Sequence, residues 1–246
     1  MKKIVIFGAN SAVAQACAKL WAEQGHDLFL VGRDEKKLEA LVLDLRVRAR
    51  SRIESMALDL ADLKDHAAAF ATAKNALGRY DSVFIAHGIL GDQTALQKDF
   101  SLTQKALNVN LLSVLSLLTI AANELEAQGK GHIGVITSVA GDRGRQSNYI
   151  YGMCKGSISI FLSGLRNRLF SKGVFVTDIK LGFVDSPMTR HITNKCLLWK
   201  KPDAVGRIIV KAMDGKGGIR YVPGFWRFIM LIIKSIPDSI FRRLSL

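Results

Sequence analysis

Short runs of consecutive apolar residues alternate along the chain with segments in which apolar residues recur every three or four positions. The runs are rich in Val, Ile and Phe, which is typical of strands buried on both faces. They predict strands at Ile4–Phe7, Leu28–Val31, Ile53–Leu58, Ser82–Ala86, Ile133–Thr137, Val174–Ile179 and Ile219–Val222. Between them, helical spacing is clear at Leu38, Leu41, Val42 and Leu45. This alternation predicts an α/β fold, with a doubly wound, seven-stranded, mostly parallel sheet and helices on both faces.

The size and composition of the chain fit one large domain. It has 246 residues, of which 49% are hydrophobic, and no repeat or linker divides it. The apolar segment at 111–122 is shorter than the ~20 residues of a membrane span, so we expect a buried or subunit-facing helix there. The three cysteines lack the spacing of a disulfide framework or a metal site. No cleavable signal precedes the first strand, which favours a cytoplasmic chain.

The charge balance points to anionic partners. The net charge is +14, and the residues from Trp199 onward include ten basic and three acidic side chains, a net +7. Nucleic acid, a membrane surface and phosphorylated ligands all fit such an excess. No stretch interleaves basic and aromatic residues on a strand, and no zinc or helix-turn-helix pattern occurs, so nucleic-acid binding is not expected.

The segment KKIVIFGANSAVAQACAKLWAEQG, at 2–25, leads from the first strand through a turn into a helix, as a Rossmann-type dinucleotide-binding domain does. Such a turn usually has two or three glycines, whereas this one has Gly8 alone, with Ala12 and Ala14 at the other positions. Gly8 suits the tight turn, and the helix N-terminus suits phosphate. We therefore expect a compact cofactor-binding turn. Its binding residues are predicted to be Gly8, Asn10, Ser11, Ala12 and Val13.

The segment TSVAGDRGRQSNYIYGMCKGSISIF, at 137–161, contains candidate catalytic residues. Tyr151 and Lys155 are four positions apart, on one face of a predicted helix. Ser138 directly follows the fifth predicted strand, at the sheet edge where ligands bind. A tyrosine has a free pKa of ~10, and a nearby ammonium lowers it, so the phenol becomes a usable acid or base. A serine hydroxyl can hydrogen-bond the substrate oxygen. The three residues suit proton transfer to an oxygen whose carbon receives a hydride.

With these residues, nearly the whole chain resembles the short-chain dehydrogenase/reductase family. The family's tetrad corresponds to Asn110, in LNVNLLS, and to Ser138, Tyr151 and Lys155. The resemblance implies that Tyr is the general acid/base, that Lys lowers its pKa and binds the nicotinamide ribose, that Ser positions the substrate oxygen, and that Asn holds a water. A homodimer or homotetramer is also implied, with the segments 100–127 and 148–170 as its interface.

Other family positions are present in altered form. The Asn-Ala-Gly motif after the fourth strand reads Ala86-His87-Gly88. His87 is either a ligand or general base, or, as we favour, a residue that lines the adenosine side. Asp59 matches the residue that contacts adenine. The family's Pro-Gly turn reads Leu181-Gly182 and opens a substrate loop at 183–200. The further cofactor-binding residues implied are Leu60, Gly182 and Val184.

The end of the second strand indicates which nicotinamide cofactor is used. It reads Gly32-Arg33, and an arginine there accommodates a 2′-phosphate, whereas a carboxylate would bind the 2′-hydroxyl. Asp34, one residue later, is expected to cap the next helix. NADP(H) is therefore favoured over NAD(H).

Residues 1–222 are predicted to form the dehydrogenase domain, and residues 223–246 a basic amphipathic tail. The tail reads PGFWRFIMLIIKSIPDSIFRRLSL, with bulky apolar residues interrupted by cations and broken at Pro237. Two interpretations are open. The tail lies on a membrane surface, which would make the chain peripheral at the inner face of the membrane, or it covers the substrate cleft or a subunit interface.

Two segments, PGFWRFIMLIIKSIP and IKLGFVDSPMTRHI, resemble bacterial reductases that form the 2-keto-reducing half of decaprenylphosphoryl-ribose epimerisation. That resemblance implies a lipid-linked sugar, the 2-keto pentose of a polyprenyl phosphate, as the substrate. An alternative function for the same fold is a non-catalytic NADP-binding sensor, which the glycine-poor first turn would suit. The complete tetrad favours the enzyme.

Overall fold

The computed structural model describes residues 1–190 and 196–244. Its seven strands are β1 (Lys3–Phe7), β2 (Asp27–Gly32), β3 (Ile53–Ala57), β4 (Ser82–Ile85), β5 (Gly131–Ser138), β6 (Val174–Leu181) and β7 (Gly218–Val222). They form one sheet in the order β3-β2-β1-β4-β5-β6-β7, and every neighbouring pair is parallel. The predicted seven-stranded sheet is confirmed, with strand ends that differ by one or two residues.

Ten α-helices connect the strands. They are α1 (Ala12–Glu23), α2 (Glu35–Arg48), α3 (His66–Leu77), α4 (Gln93–Leu96), α5 (Phe100–Leu107), α6 (Ser113–Gln128), α7 (Tyr149–Phe170), α8 (Pro202–Met213), α9 (Trp226–Ser235) and α10 (Asp238–Phe241), within the described part of the chain. A π-helical turn at Asn108–Leu112 joins α5 to α6. Short 3₁₀ turns lie at Leu63–Asp65, Val139–Gly141 and Pro187–Thr189.

The core consists of two layers, one on each face of the sheet. Because side chains alternate along a strand, Ile4 and Ile6 of β1 face α1, α2 and α8, whereas Val5 and Phe7 face α3, α6 and α7. The helical run 100–128 is long and apolar enough, by length and composition, to cross a membrane. Its α6 part is instead packed in the core through Val114, Leu117, Leu118, Ala121, Ala122 and Leu125. The segment 111–122 is thus largely a buried helix, as predicted.

The C-terminal tail packs on the domain through one side of α9. Trp226 and Met230 are buried against Val139 and the start of the substrate loop. The rings of Phe183 and Trp226 meet edge to face, with centroids 4.9 Å apart. A β-carbon at Gly182 would lie 1.8 Å from the indole Nε1 of Trp226, so glycine is required there. One side of the tail therefore packs on the domain beside the substrate loop, while Phe228, Leu231 and Ile232 on the other side are exposed. Both interpretations of the tail stay predictions.

Candidate active site

A cavity of about 480 Å³ opens at the carboxyl edge of the sheet. All fifteen predicted cofactor-binding residues line it: Gly8, Asn10, Ser11, Ala12, Val13, Arg33, Asp59, Leu60, Ala86, His87, Gly88, Tyr151, Lys155, Gly182 and Val184. Of the predicted catalytic residues, Ser138, Tyr151 and Lys155 also line it. Residues separated by more than 170 positions in the sequence thus share one cavity, because parallel strands bring their carboxyl ends to one edge.

The turn between β1 and α1 is shaped by close backbone contacts. Gly8 has a φ of 84°, and a β-carbon there would lie 2.6 Å from the backbone nitrogen of His87. Ser11 caps α1, and its Oγ accepts a hydrogen bond from the Ala14 N–H at 3.2 Å. A backbone this close to the cavity, at the N-terminus of a helix, fits the pyrophosphate of a dinucleotide.

The Asn10 side chain is used by the fold, although we expected it to offer polar atoms to phosphate. Its Nδ2 donates to the Asp34 carbonyl oxygen at 3.2 Å, and its Oδ1 accepts from the Asp34 N–H at 3.1 Å. These bonds fasten the first turn to the end of β2. Phosphate contacts from this turn are therefore left to its backbone and to the helix dipole.

The end of β2 presents a cation and no free carboxylate. Arg33 is exposed and lines the cavity. The Asp34 side chain caps α2, accepting from the Lys37 N–H at 3.1 Å and from the Lys37 Nζ at 2.8 Å. Hydrogen bonds from Lys37 lower the pKa of Asp34. The prediction that Asp34 is a helix cap is confirmed.

His87 is a neutral lining residue. Burial, and then the charge of Lys155, lower its pKa to about 3, so at neutral pH it is uncharged and a weak base. The Ser113 hydroxyl donates to the Val109 carbonyl oxygen at 2.7 Å and therefore accepts from His87 Nε2, also at 2.7 Å. This assigns the proton to Nε2 and leaves Nδ1 as a buried acceptor with no partner among the described residues. His87 can accept a hydrogen bond from a ligand, but it is unsuited to be a general base.

Close packing between α7 and the loop after β5 brings Ser138 to Tyr151. A β-carbon at Gly152 would lie 2.6 Å from the Ala140 carbonyl oxygen, and one at Gly156 would lie 2.8 Å from that of Gly141. These two glycines, one helical turn apart, let the helix lie directly on the loop. As a result, the Tyr151 hydroxyl hydrogen-bonds to Ser138.

The Lys155 ammonium lies behind the phenol, 5.7 Å from the centroid of the Tyr151 ring. It donates to the Ile136 carbonyl oxygen at 3.1 Å, and burial lowers its pKa to about 8. Burial raises the pKa of Tyr151 to about 12, although the hydrogen bond with Ser138 lowers it. The prediction that the Tyr151 pKa is lowered is therefore wrong for this structure, because burial of the phenol raises the pKa by more than the hydrogen bond lowers it. At neutral pH the phenol is protonated and placed as an acid.

Asn110 lies behind the cavity and does not line it. Only 1% of it is exposed, in the π-helical turn. Its Oδ1 accepts from the Ile89 N–H at 2.8 Å, and its Nδ2 donates to the Ile89 carbonyl oxygen at 2.9 Å. A β-carbon at Gly88 would lie 3.0 Å from this Oδ1 and 3.3 Å from the Lys155 Nζ. The Asn110 side chain thus fixes the chain beside Lys155.

The substrate side of the cavity is mostly apolar. Phe183 stacks on Trp199 with centroids 5.1 Å apart, and Met188 lies on the same loop. Residues 191–195 of the predicted loop 183–200 lie outside the described residues. Met188 and Trp199 line the cavity and belong to the predicted loop, whereas the sequence interpretation missed Leu90, Val109, Arg145 and Asn148 as lining residues. The position of Arg145 and Asn148, between Ser138 and Tyr151 in the sequence, is the one signal that could have indicated them.

Comparison with known proteins identifies the family. The short chain dehydrogenase family model matches residues 2–197. An uncharacterized oxidoreductase of Mycobacterium tuberculosis is 28% identical over 241 residues, which cover 98% of this chain and 96% of the relative. The solved structure of a levodione reductase covers 92% of this chain and 97% of its own, with a TM-score of 0.83 and 19% identity. The solved structure of the L-sorbose reductase of Gluconobacter frateurii, complexed with NADPH and L-sorbose, covers 89% of this chain and 94% of its own, with a TM-score of 0.79 and 18% identity.

Proposed function

Because this chain belongs to the short-chain dehydrogenase family and is an oxidoreductase of that type, we propose that it transfers hydride between NADP(H) and a secondary alcohol or ketone. The observation that supports this most strongly is the presence of Ser138, Tyr151 and Lys155 in the cavity that contains every predicted cofactor-binding residue. A non-catalytic sensor has no use for this set of residues, so that alternative is not favoured.

Each catalytic side chain has a separate task. When bound, the cofactor supplies the hydride for reduction or accepts it in oxidation. Ser138 holds the substrate oxygen by a hydrogen bond, and Tyr151 gives that oxygen its proton during reduction or removes it during oxidation. Lys155 places a positive charge beside the phenol, and Asn110 keeps the neighbouring chain in position through Ile89.

The preference for NADP(H) is supported by the end of β2. Arg33 faces the cavity, whereas the carboxylate of Asp34 is occupied by Lys37. Fluorescence titration should give an NADPH affinity at least about tenfold above that for NADH. Arg33→Gln should weaken NADPH binding and leave NADH binding within about twofold, while Arg207→Gln, which removes an exposed charge on α8, should change neither. Tighter binding of NADH by the parent protein would overturn the NADP assignment.

For the substrate we propose a lipid-linked sugar, the 2-keto pentose of a polyprenyl phosphate. This rests on the two segments that resemble decaprenylphosphoryl-ribose reductases and on the tail beside the cleft. Phe228, Leu231 and Ile232 are each more than 60% exposed on the outer side of α9. Exposed cations surround this apolar side at Arg227, Lys234, Arg242 and Arg243. Such a surface suits an anionic membrane, so the protein would be cytoplasmic and peripheral at the inner face.

Vesicle flotation tests the membrane contact. With phosphatidylglycerol vesicles, the parent should float and a Phe228→Ser/Leu231→Ser/Ile232→Ser variant should not. The matched control is Leu43→Ser/Val47→Ser, which removes exposed apolar residues from α2 and should float like the parent. Equal flotation of both variants, or no flotation of the parent, would contradict the contact.

We further propose a homodimer or homotetramer formed through α5, α6 and α7. Phe100 on α5 and Ile160 and Phe170 on α7 are each more than 70% exposed, and a subunit interface through these helices would bury them. Light scattering of the parent and of Phe100→Ser/Ile160→Ser measures this directly. A monomeric parent would rule the interface out.

A further inference from the structure

Arg145 belongs to the loop between the strand that ends at Ser138 and the helix that presents Tyr151. Its side chain lines the same cavity as both residues. The Nε atom is buried and has no hydrogen-bond partner among the described residues. One terminal nitrogen, Nη2, lies 3.4 Å from the Sδ of Met230 in α9, and a thioether is a weak acceptor. The guanidinium therefore lies between the catalytic residues and the tail helix with most of its donors unused.

The neighbouring carboxylate is already occupied. Asp142 accepts from the Lys180 ammonium through one oxygen and from the Tyr221 hydroxyl, at 2.7 Å, through the other. Burial lowers the pKa of Arg145 by more than the charge of Asp142 raises it. Among residues 1–190 and 196–244, no carboxylate forms an ion pair with Arg145.

The other arginine of this loop has a structural task that accounts for it. Arg143 donates to the carbonyl oxygens of Ile233, at 2.7 Å, and Ile236, at 2.6 Å, and so holds the C-terminal end of α9. Its guanidinium also lies 3.7 Å from the centroid of the Phe241 ring. The loop therefore uses one arginine to hold the tail and presents the other to the cavity with no carboxylate partner among the described residues.

Arg145 is partly buried, with a buried Nε and no ion pair among the described residues. Desolvation of a cation is costly, so a ligand that supplies the opposite charge fits this position. An arginine fork matches the paired oxygens of a phosphate or carboxylate, which a lysine cannot match in the same way. Asn148, three residues further on, has a buried side-chain oxygen that also has no partner within residues 1–190 and 196–244, and it is suited to a hydroxyl group.

We propose that Arg145 binds an anionic group of the substrate, a phosphate or carboxylate, on the side of the catalytic residues that faces α9. This deepens the proposed function and rests on it, since it assumes that the substrate carbonyl lies at Tyr151. The anion could come from a lipid headgroup or from a soluble phosphorylated compound, and both would present phosphate oxygens to Arg145.

Calorimetric titration of the NADP⁺-saturated protein tests the assignment, because the cofactor then fills its own phosphate positions. The probes are hexyl phosphate, hexanol and inorganic phosphate. Arg145→Gln should weaken hexyl phosphate binding at least about tenfold, equivalent to about 1.4 kcal/mol, and leave hexanol binding within about twofold. The hexyl phosphate affinity of Arg145→Lys should lie between those of the parent and Arg145→Gln, and that of Arg207→Gln should match the parent.

Equal hexyl phosphate affinity in the parent and Arg145→Gln, or no phosphate binding by the parent, would overturn the proposal. If inorganic phosphate binds the parent as well as hexyl phosphate does, the site suits a soluble phosphate; if the alkyl chain is needed, it suits a lipid headgroup. The NADP⁺ affinity of each variant, measured first, shows that the variant is folded. It also reports on the proposed function separately, since a protein that binds NADP⁺ normally can still fail this test.

Discussion

The Tyr151 phenol is protonated at neutral pH, because burial raises its pKa to about 12. Lys155, with a pKa of about 8, loses its proton first as the pH rises. In the mechanism that we propose, ketone reduction consumes the proton of Tyr151, whereas alcohol oxidation needs the deprotonated form. The two directions of the reaction should therefore respond oppositely to pH.

For reduction with saturating NADPH, we expect kcat/KM to be level from about pH 6 to about pH 8 and to fall above it, as the Lys155 ammonium is lost while Tyr151 remains protonated. Oxidation should instead accelerate with rising pH, since more phenolate forms. Initial rates at constant ionic strength measure both profiles. A reduction rate that climbs steadily through about pH 9 would contradict these roles.

Among individual residues, those at a fixed spacing could be predicted from the sequence, whereas those positioned by contacts with distant parts of the chain could not. Ser138, Tyr151 and Lys155 could be found because a strand end and one helical turn bring them together. For Arg145 the only sequence signal is its place between Ser138 and Tyr151, because its contact with Met230 requires α9 to fold back from 85 residues later in the chain. The raised pKa of Tyr151 was also missed, because burial is a property of the folded cavity and not of the helix spacing.

In the β1–α1 turn, position 8 requires glycine, whereas position 12 does not. Gly8→Ala places a β-carbon at positive φ and against the His87 backbone, so NADPH affinity should fall at least about tenfold. Ala12→Gly removes a methyl group beside the cavity and should bind NADPH at least as well as the parent. Fluorescence titration with NADPH measures the affinities of both variants. Similar affinities would contradict the requirement for glycine at position 8.

The α9 helix is held at its C-terminal end by Arg143. Arg143→Gln should remove these bonds and raise the rate of amide hydrogen exchange across residues 226–241, because the last carbonyls lose their partner. The exposed Arg242 provides a matched control, and Arg242→Gln should leave the exchange of α9 unchanged. Unaltered exchange in the Arg143 variant would mean that Trp226 and Met230 suffice to dock the tail.

The strands were predictable because a strand buried on both faces is a nearly continuous apolar run, as Leu28–Val31 in β2 and 83–85 in β4 are. The π-helical turn was not, since it depends on the two hydrogen bonds between the Asn110 side chain and Ile89. For the tail, the sequence left two interpretations open. In the structure α9 has two apolar sides, and only the one with Trp226 packs on the domain.

For the whole molecule, the alternation of strands and helices was enough to predict the layered fold and the edge at which ligands bind. The net charge of +14 predicted anionic ligands, and Arg33 and Arg145 now offer two candidate positions within one cavity. For the substrate, the sequence offered only a resemblance in two segments, because the residues that line the cavity beside Tyr151 come from the loop after Ser138 and from the loop 183–200, which share no common motif.

The central claim is that the whole cavity works as one site, in which Tyr151 protonates a carbonyl beside NADPH. The most direct test is NADPH consumption with a panel of ketones, including L-sorbose and polyprenyl-phosphate-linked keto-pentoses, for the parent, Tyr151→Phe and the control Tyr149→Phe. We expect Tyr151→Phe to lower kcat at least about 100-fold while NADPH affinity stays within about twofold, and Tyr149→Phe to behave like the parent. An unchanged kcat in Tyr151→Phe, or a parent protein that does not bind NADPH, would contradict the claim.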